Sequence, residues 1–404
     1  MLRTASAAVA ALTTFGVALA GQAGADVGTD PARDAQQSPV HVGSVVLGPE
    51  AMTAGPGHST QSRMLPTAPY EMVAVTSQGA SAPDVQVRTR SQGAWTHWQT
   101  LAPLAGDGPD ANTDEAKRSA DLSATELLWV GESNGVQVRA GRALGPDARV
   151  LLVDPGTLPS DAPAGAVPSP RVHDRVRQDT AKASDPTDAP QPTILNRSDW
   201  GADESWRSGD PVYDSTIKQA HIHHTAGSND YTRADVPAII RGDYWYHTQV
   251  LGWSDLGYNF VVDKFGRIWE GRAGGIDRPV HGAHTLGFNT DSVGVAAIGE
   301  YSAATPSSDL VRSLVRLTAW KLDAYGRKPA GYTRVRSAGS DRYPAGTWVR
   351  LPVIDGHRDT NQTECPGDKL YAKLPDIRQR AQARADAVYA AQSGSPAGSP
   401  APGG

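Results

Sequence analysis

The chain has one cysteine, Cys365, in 404 residues, so no disulfide can close within it. Phenylalanine and methionine are scarce as well, with four of each. There is no surplus of positive charge: 38 Lys and Arg stand against 43 Asp and Glu, a net −5. That balance gives no basic field for the phosphates of a nucleic acid. Past the first 25 residues no apolar run approaches the roughly 20 residues that a membrane span requires. Met1 to Ala25 has the form of a signal peptide, with Arg3, an Ala/Val/Leu run and Ala23-Gly24-Ala25 as a small-residue cleavage site before Asp26. A lipoprotein anchor would need a cysteine just after it, and Cys365 is far away. The expectation is a secreted, extracellular or wall-associated protein with no membrane attachment after cleavage. In that oxidising setting an unpaired cysteine is a metal ligand, a nucleophile, an intermolecular bridge or a buried small hydrophobe.

Composition divides the rest. Residues 41–154 show short apolar runs cut by Gly, Pro and Asn, among them 42–47, 72–75, 85–89, 127–130 and 136–139. Val85-Gln-Val-Arg and Val136-Gln-Val-Arg alternate as half-buried strands do. We read a small all-β domain, sandwich-like, with Trp95 and Trp98 assigned to its core rather than to sugar stacking. No catalytic constellation stands out in it. Residues 155–190 are rich in Pro, Asp, Ala and Ser and poor in large apolar side chains, the composition of a disordered linker. The tail, 391–404, reads likewise.

Residues 191–390 alternate helical and strand patterns. A helix opens near Thr232 to Asp235 with Pro237 in its first turn, and Val236, Ile240, Tyr244 and His247 share one stripe. Segments 258–262 and 267–270 form a hairpin turning at Lys264-Phe265-Gly266, and 292–298 is a buried strand. Thr305-Pro306 begins a helix with Leu310, Leu314 and Leu317 inward and Gly326 as its stop, and 374–390 makes a last helix. The alternation implies a sheet covered by helices.

Seven of the eleven histidines lie between 221 and 357. His221-Ile222-His223-His224 ends a strand pattern in which His221 and His223 share a face. His357 and Cys365 are eight residues apart, ahead of a Pro-Gly turn. One upstream histidine with these two would make a three-ligand catalytic zinc set with an open fourth position. His357-Arg358-Asp359 also fits a kinase catalytic loop, but Glu364 stands where that loop needs Asn, and a Gly-rich phosphate loop is lacking.

Five ordered stretches carry a resemblance. They are Ile222-His223-His224-Thr225, residues 252–260, residues 266–272, Gly282-Ala283-His284-Thr285 with Asn289, and 356–359 through Cys365-Pro366-Gly367. In these, residues 193–385 resemble the family of peptidoglycan recognition proteins and type 2 N-acetylmuramoyl-L-alanine amidases. The resemblance implies an α/β catalytic domain, a mixed central β-sheet flanked by helices, following the separate N-terminal all-β domain. It implies Zn2+ held by His223, His357 and Cys365, with Tyr258 beside the metal and Thr363 where some members carry lysine. His224, Thr225, His247, His284 and Asn289 match substrate-groove positions. The implied activity is hydrolysis of the amide between N-acetylmuramic acid and L-alanine in peptidoglycan, by a monomer. Two other readings stand beside it: a peptidoglycan-binding protein without hydrolysis, and a zinc peptidase acting on stem peptides. His221 replaces His223 if the match slips by one strand step, and Glu300 is a weaker general-base candidate than Tyr258. The chain departs from the family at Ala273-Gly274-Gly275 and in a Gly/Arg/Ser-rich segment, 328–350, expected to be an inserted loop.

Overall fold

Five strands position everything that follows. In spatial order they are Ile268–Glu270, Phe260–Val262, Ser292–Ala297, Gln219–His224 and Ile354–Gly356. The last four run parallel and the first is an antiparallel edge, joined by the expected hairpin. The computed structural model describes residues 40–48, 51–55, 59–78, 85–104, 106–119, 122–142, 144–161 and 189–393. The signal-peptide reading, most of the linker reading and the tail beyond residue 393 lie outside them.

All six residues of Gln219–His224 are buried, as a parallel strand covered on both faces should be. On one face Ile222, Phe260, Val293 and Val295 pack against Leu310, Leu314, Leu317 and Trp320 of the helix Ser308–Asp323, and the helix Leu374–Ser393 joins them through Leu374, Ile377 and Ala381. Ser307 caps the first helix by accepting from Leu310 N at 3.0 Å. The helix therefore starts at Ser308, two residues past Pro306, because the hydroxyl supplies the partner that an N-terminal amide otherwise lacks.

The other face is shared. Val261, Trp269 and Ala296 lie in one apolar cluster with Val236, Ile240 and Tyr244 of the helix Asp235–Trp245, and that cluster runs on into Met72, Trp129, Leu151 and Val153 of the N-terminal β-domain. A Cβ on Gly242 would stand 2.2 Å from Met72 Sδ, so a helix-weakening glycine is what lets the two halves meet. Beside it Arg241, fully buried, pairs with Asp161 at 2.7 Å and donates to the carbonyls of Trp200 and Gly156. Residues 155–161, assigned by composition to a linker, are thus packed onto the C-terminal half. The buried guanidinium needs their acceptors.

Among the described residues the N-terminal sheet contains ten strands around the order His41–Val46, Arg149–Asp154, Leu65–Ser77, Leu128–Ala140, Thr60–Ser62 and Met52–Ala54. The runs at 127–130 and 136–139 are one strand, Leu128–Ala140, because its register shifts against Leu65–Ser77 and takes up the polar residues between them without a turn. Trp95 and Trp98 are not in the core. Both are half-buried on the surface, with Arg88 over each ring and Arg139 4.5 Å from the Trp98 centroid, since cationic partners hold them on the polar side of the sheet. Segment 328–350 is more than a loop. It carries a hairpin, Tyr332–Arg336 with Trp348–Pro352, which buries Val335, Val349 and Leu351 against Phe288. Among the described residues no helix is long and apolar enough to cross a membrane.

Candidate metal centre

Ligands of open parallel sheets gather beyond the carboxyl ends of the strands, and the histidines lie there. His223 closes its strand one residue before the end, and His357 follows Ile354–Gly356 directly. The turn after His357 brings Cys365 back, with Arg358 N donating to Cys365 O at 3.0 Å. Ligand atoms of His223, His357 and Cys365 all lie within 4.8 Å of one another, and all three residues are buried. Cys365 Sγ stands 3.7 Å from His223 Nδ1 and accepts the amide of His224 at 3.4 Å.

Hydrogen bonds select the nitrogens. His357 Nε2 donates to the Gly106 carbonyl at 3.0 Å, which leaves Nδ1 unprotonated, buried and without a partner. His223 Nε2 lies 3.1 Å from Thr285 Oγ1, whose hydroxyl in turn lies 2.9 Å from His284 Nδ1. With Nε2–H donating along that relay, His223 Nδ1 is also a free lone pair turned toward the sulfur. Burial pulls both imidazoles below their ordinary range, His357 to about 3, with neighbouring histidines adding to the fall for His223. The neutral form that results is the one that binds a metal. Burial raises the Cys365 thiol, reinforced by the Asp107 carboxyl. Two neutral imidazole lone pairs, one of them on a nitrogen without a hydrogen-bond partner, and a thiol, all on buried residues, are a donor set that zinc fits.

His221 is excluded as the alternative ligand. Its Nδ1 meets Asp355 Oδ1 at 2.6 Å and its Nε2 the Gln219 side chain, so neither nitrogen is free. Tyr258 lies against the trio, its ring centroid 5.4 Å from that of His223. Burial first, then the charges of Asp107 and Glu126, hold its hydroxyl well above the ordinary tyrosine range. Thr363 and His224 border a cavity of about 420 Å³ beside Cys365. His224 Nδ1 accepts from Tyr301 N, which leaves Nε2–H as a donor, and burial brings the ring down to about 4.

The remaining groove candidates are engaged within the protein. Thr225 Oγ1 accepts from Gly299 N. His247 Nδ1 accepts from Gly257 N and its ring stacks 4.4 Å from Trp253, so it positions the backbone next to Tyr258. Asn289 Oδ1 accepts from the amides of His284 and Thr285, fixing the loop behind His223. Glu300 is half-buried and bonds Ser302 N at 2.5 Å, away from the ligand trio.

The N-terminal domain also reaches the centre, although no constellation stood out in its sequence. Asp107 Oδ1 lies 3.8 Å from His223 Nδ1 and 3.7 Å from His357 Nδ1. The only local signal was Gly106-Asp107-Gly108, which any turn can share.

Residues 213–368 match the family described as N-acetylmuramoyl-L-alanine amidase, and residues 24–190 match one described as Rv3811 N-terminal galactose-binding domain-like. The chain is 30% identical over 182 residues to peptidoglycan-recognition protein SC2 of Drosophila simulans, covering 45% of this chain and 84% of that protein. It is 33% identical over 189 residues to N-acetylmuramoyl-L-alanine amidase of Homo sapiens, covering 45% of this chain and 28% of that protein. Among solved structures it is similar to wild-type Drosophila PGRP-LB, with 27% identity, a TM-score of 0.36, and coverage of 45% of this chain and 92% of that one.

Proposed function

Because the chain belongs to the family of peptidoglycan recognition proteins and type 2 N-acetylmuramoyl-L-alanine amidases, we propose that it is a secreted zinc hydrolase cutting the amide between N-acetylmuramic acid and L-alanine in peptidoglycan. One observation carries the reading: His357 Nδ1 is buried and unpartnered, in reach of His223 Nδ1 and Cys365 Sγ. His223, His357 and Cys365 would hold the ion. When bound, zinc supplies Lewis acidity and lowers the pKa of water to about 7.

The chain's own groups do the rest. Tyr258 keeps its proton over the working pH range, so its hydroxyl donates to oxygen that gains negative charge as the amide is attacked. Thr363, whose hydroxyl accepts from Cys365 N at 3.2 Å, orients the sulfur and faces the cavity. His224 offers Nε2–H to the substrate from the same side. His284 and Thr285 fix the tautomer of His223. The apolar N-terminal run with its small-residue cleavage site supports export.

The test is zinc content with muropeptide digestion, on the protein as purified, on Asp107→Ala and on Cys365→Ser. We expect one zinc in the first two and none in Cys365→Ser. Stem peptides with a free L-alanine amino terminus should be released by Asp107→Ala and not by Cys365→Ser. Protein that binds peptidoglycan, carries no zinc and releases nothing in any form would be a binding module.

A further inference from the structure

We propose that Asp107, from the N-terminal domain, is a fourth protein ligand of the metal, and that residues Gly106 to Arg118 form a strap holding the site closed. The inference rests on the zinc reading above. A catalytic zinc keeps one position open, whereas a site with four protein ligands is closed. Asp107 Oδ1 is buried and has no hydrogen-bond partner, yet it stands 3.8 and 3.7 Å from the Nδ1 atoms of His223 and His357. An unpartnered buried carboxylate oxygen is costly unless a cation meets it. The two lone-pair nitrogens it faces are themselves metal donors, so one ion satisfies all three atoms.

The preceding residue shares in the site. The Gly106 carbonyl accepts from His357 Nε2 at 3.0 Å and from Leu286 N at 2.8 Å. The N-terminal domain thus orients one ligand while supplying another. The backbone approach depends on glycine: Gly106 has φ +79° and a Cβ there would lie 2.7 Å from the Asn361 side chain, while at Gly108, φ +122°, it would lie 3.3 Å from Trp253.

Further along, the strap is tied to the groove side of the catalytic half. Asn289 Nδ2 donates to Gly108 O and to Asp110 Oδ1, which also accepts from Gly287 N at 2.7 Å. Glu115 makes a two-point pair with Arg272, at 2.6 and 3.0 Å, and accepts from Ser254 N. Asn289 is one of the positions the family resemblance assigns to the substrate groove, so the strap and a muropeptide compete for it. Most of these contacts are polar, and Pro109 is the one large apolar side chain of 106–118 that is buried, so little apolar surface opposes release of the strap.

Cobalt(II) in place of zinc in the full-length protein tests this. A thiolate-to-cobalt charge-transfer band reports Cys365, and azide reports an open position through its shift of the visible d–d bands. The cavity bounded by Asp107, Glu126 and Thr363 admits a small anion. We expect the wild type to show the thiolate band and to resist azide. Asp107→Ala should bind azide at least about tenfold more tightly and hold cobalt at least about tenfold more weakly. The double variant Asp110→Ala with Glu115→Ala, which removes the acceptors that tie the strap and keeps every ligand, should bind azide more tightly with its thiolate band intact. It stands in if Asp107→Ala fails to fold. A thiolate band with wild-type azide affinity in both variants overturns the strap and leaves the zinc reading in place. No thiolate band in any form overturns the zinc reading, and Asp107 as a ligand with it.

Discussion

Two regions reach the same point by different means. His223 is delivered by a strand buried on both faces, hydrogen-bonded to parallel neighbours on each side in the registers Ala220↔Ile354 and His223↔Ala296. Asp107 is delivered by a loop whose course glycine makes possible and whose ties are mainly side-chain hydrogen bonds, one ion pair and the backbone bond from Leu286 N to Gly106 O. Shifting the strand would carry its whole apolar pattern out of register, so the histidine cannot leave without unfolding. The loop can leave at the loss of polar contacts that water replaces. On the proposed reading, a ligand fixed by a buried strand and a removable one on a strap would make a site that is durable and can be covered.

The largest effect should come from the strand. Ile222→Ala empties volume between the sheet and the Ser308–Asp323 helix and should cost about 2–5 kcal/mol in urea unfolding. A loss below 1 kcal/mol would mean the strand is not the rigid partner in the comparison. Next comes the strap. Gly108→Ala forces an L side chain into φ +122° against Trp253 and should cost about 1–3 kcal/mol. Amide exchange should rise over 106–118 and stay protected over 219–224; equal loosening of both segments would remove the distinction.

The smallest effect concerns acid. Burial pushes Glu115 up, but the Arg272 charge, its hydrogen bonds, the Ser254 amide and the charge of His281 together hold it below its ordinary 4.5. A carboxylate lowered in the folded state contributes stability that is present above about 4.5 and lost as pH falls through the lower folded value. Glu115→Gln should cost about 1 kcal/mol at pH 7 and flatten the decline of the urea midpoint below pH 4.5. Parallel midpoint curves for the two proteins would show that the ion pair does not hold the strap.

Much of the site-bearing half was legible along the chain. Leu310, Leu314 and Leu317 lie inward on one helix and Phe260–Val262 pairs with Ile268–Glu270, as periodicity indicated. The residues that the family resemblance implies as ligands, His223, His357 and Cys365, are ones whose possible ligand atoms lie close together. Short-range patterns carry such information because each element must bury its own face. Local reading failed where a partner came from elsewhere. Trp95 and Trp98 looked like core until Arg88 and Arg139 claimed their rings, and residues 155–161 looked like linker until Arg241 required their acceptors.

The amino-acid order alone determined the sheet, its covering helices and the family to which the C-terminal half belongs, since periodicity and motif are written in neighbouring residues. It also marked His357, Cys365 and one histidine of the 221–224 cluster as a possible ligand set, with His223 picked out by the family resemblance. Tertiary structure decided that His221 is spent on Asp355, that His357 turns Nδ1 inward, and that a Gly-Asp-Gly turn closes over the centre. The bond from His357 to Gly106 spans 251 residues of chain. A turn so distant carries no mark of its partner, because the contact depends on the apolar cluster around Met72 and Tyr244 that joins the halves.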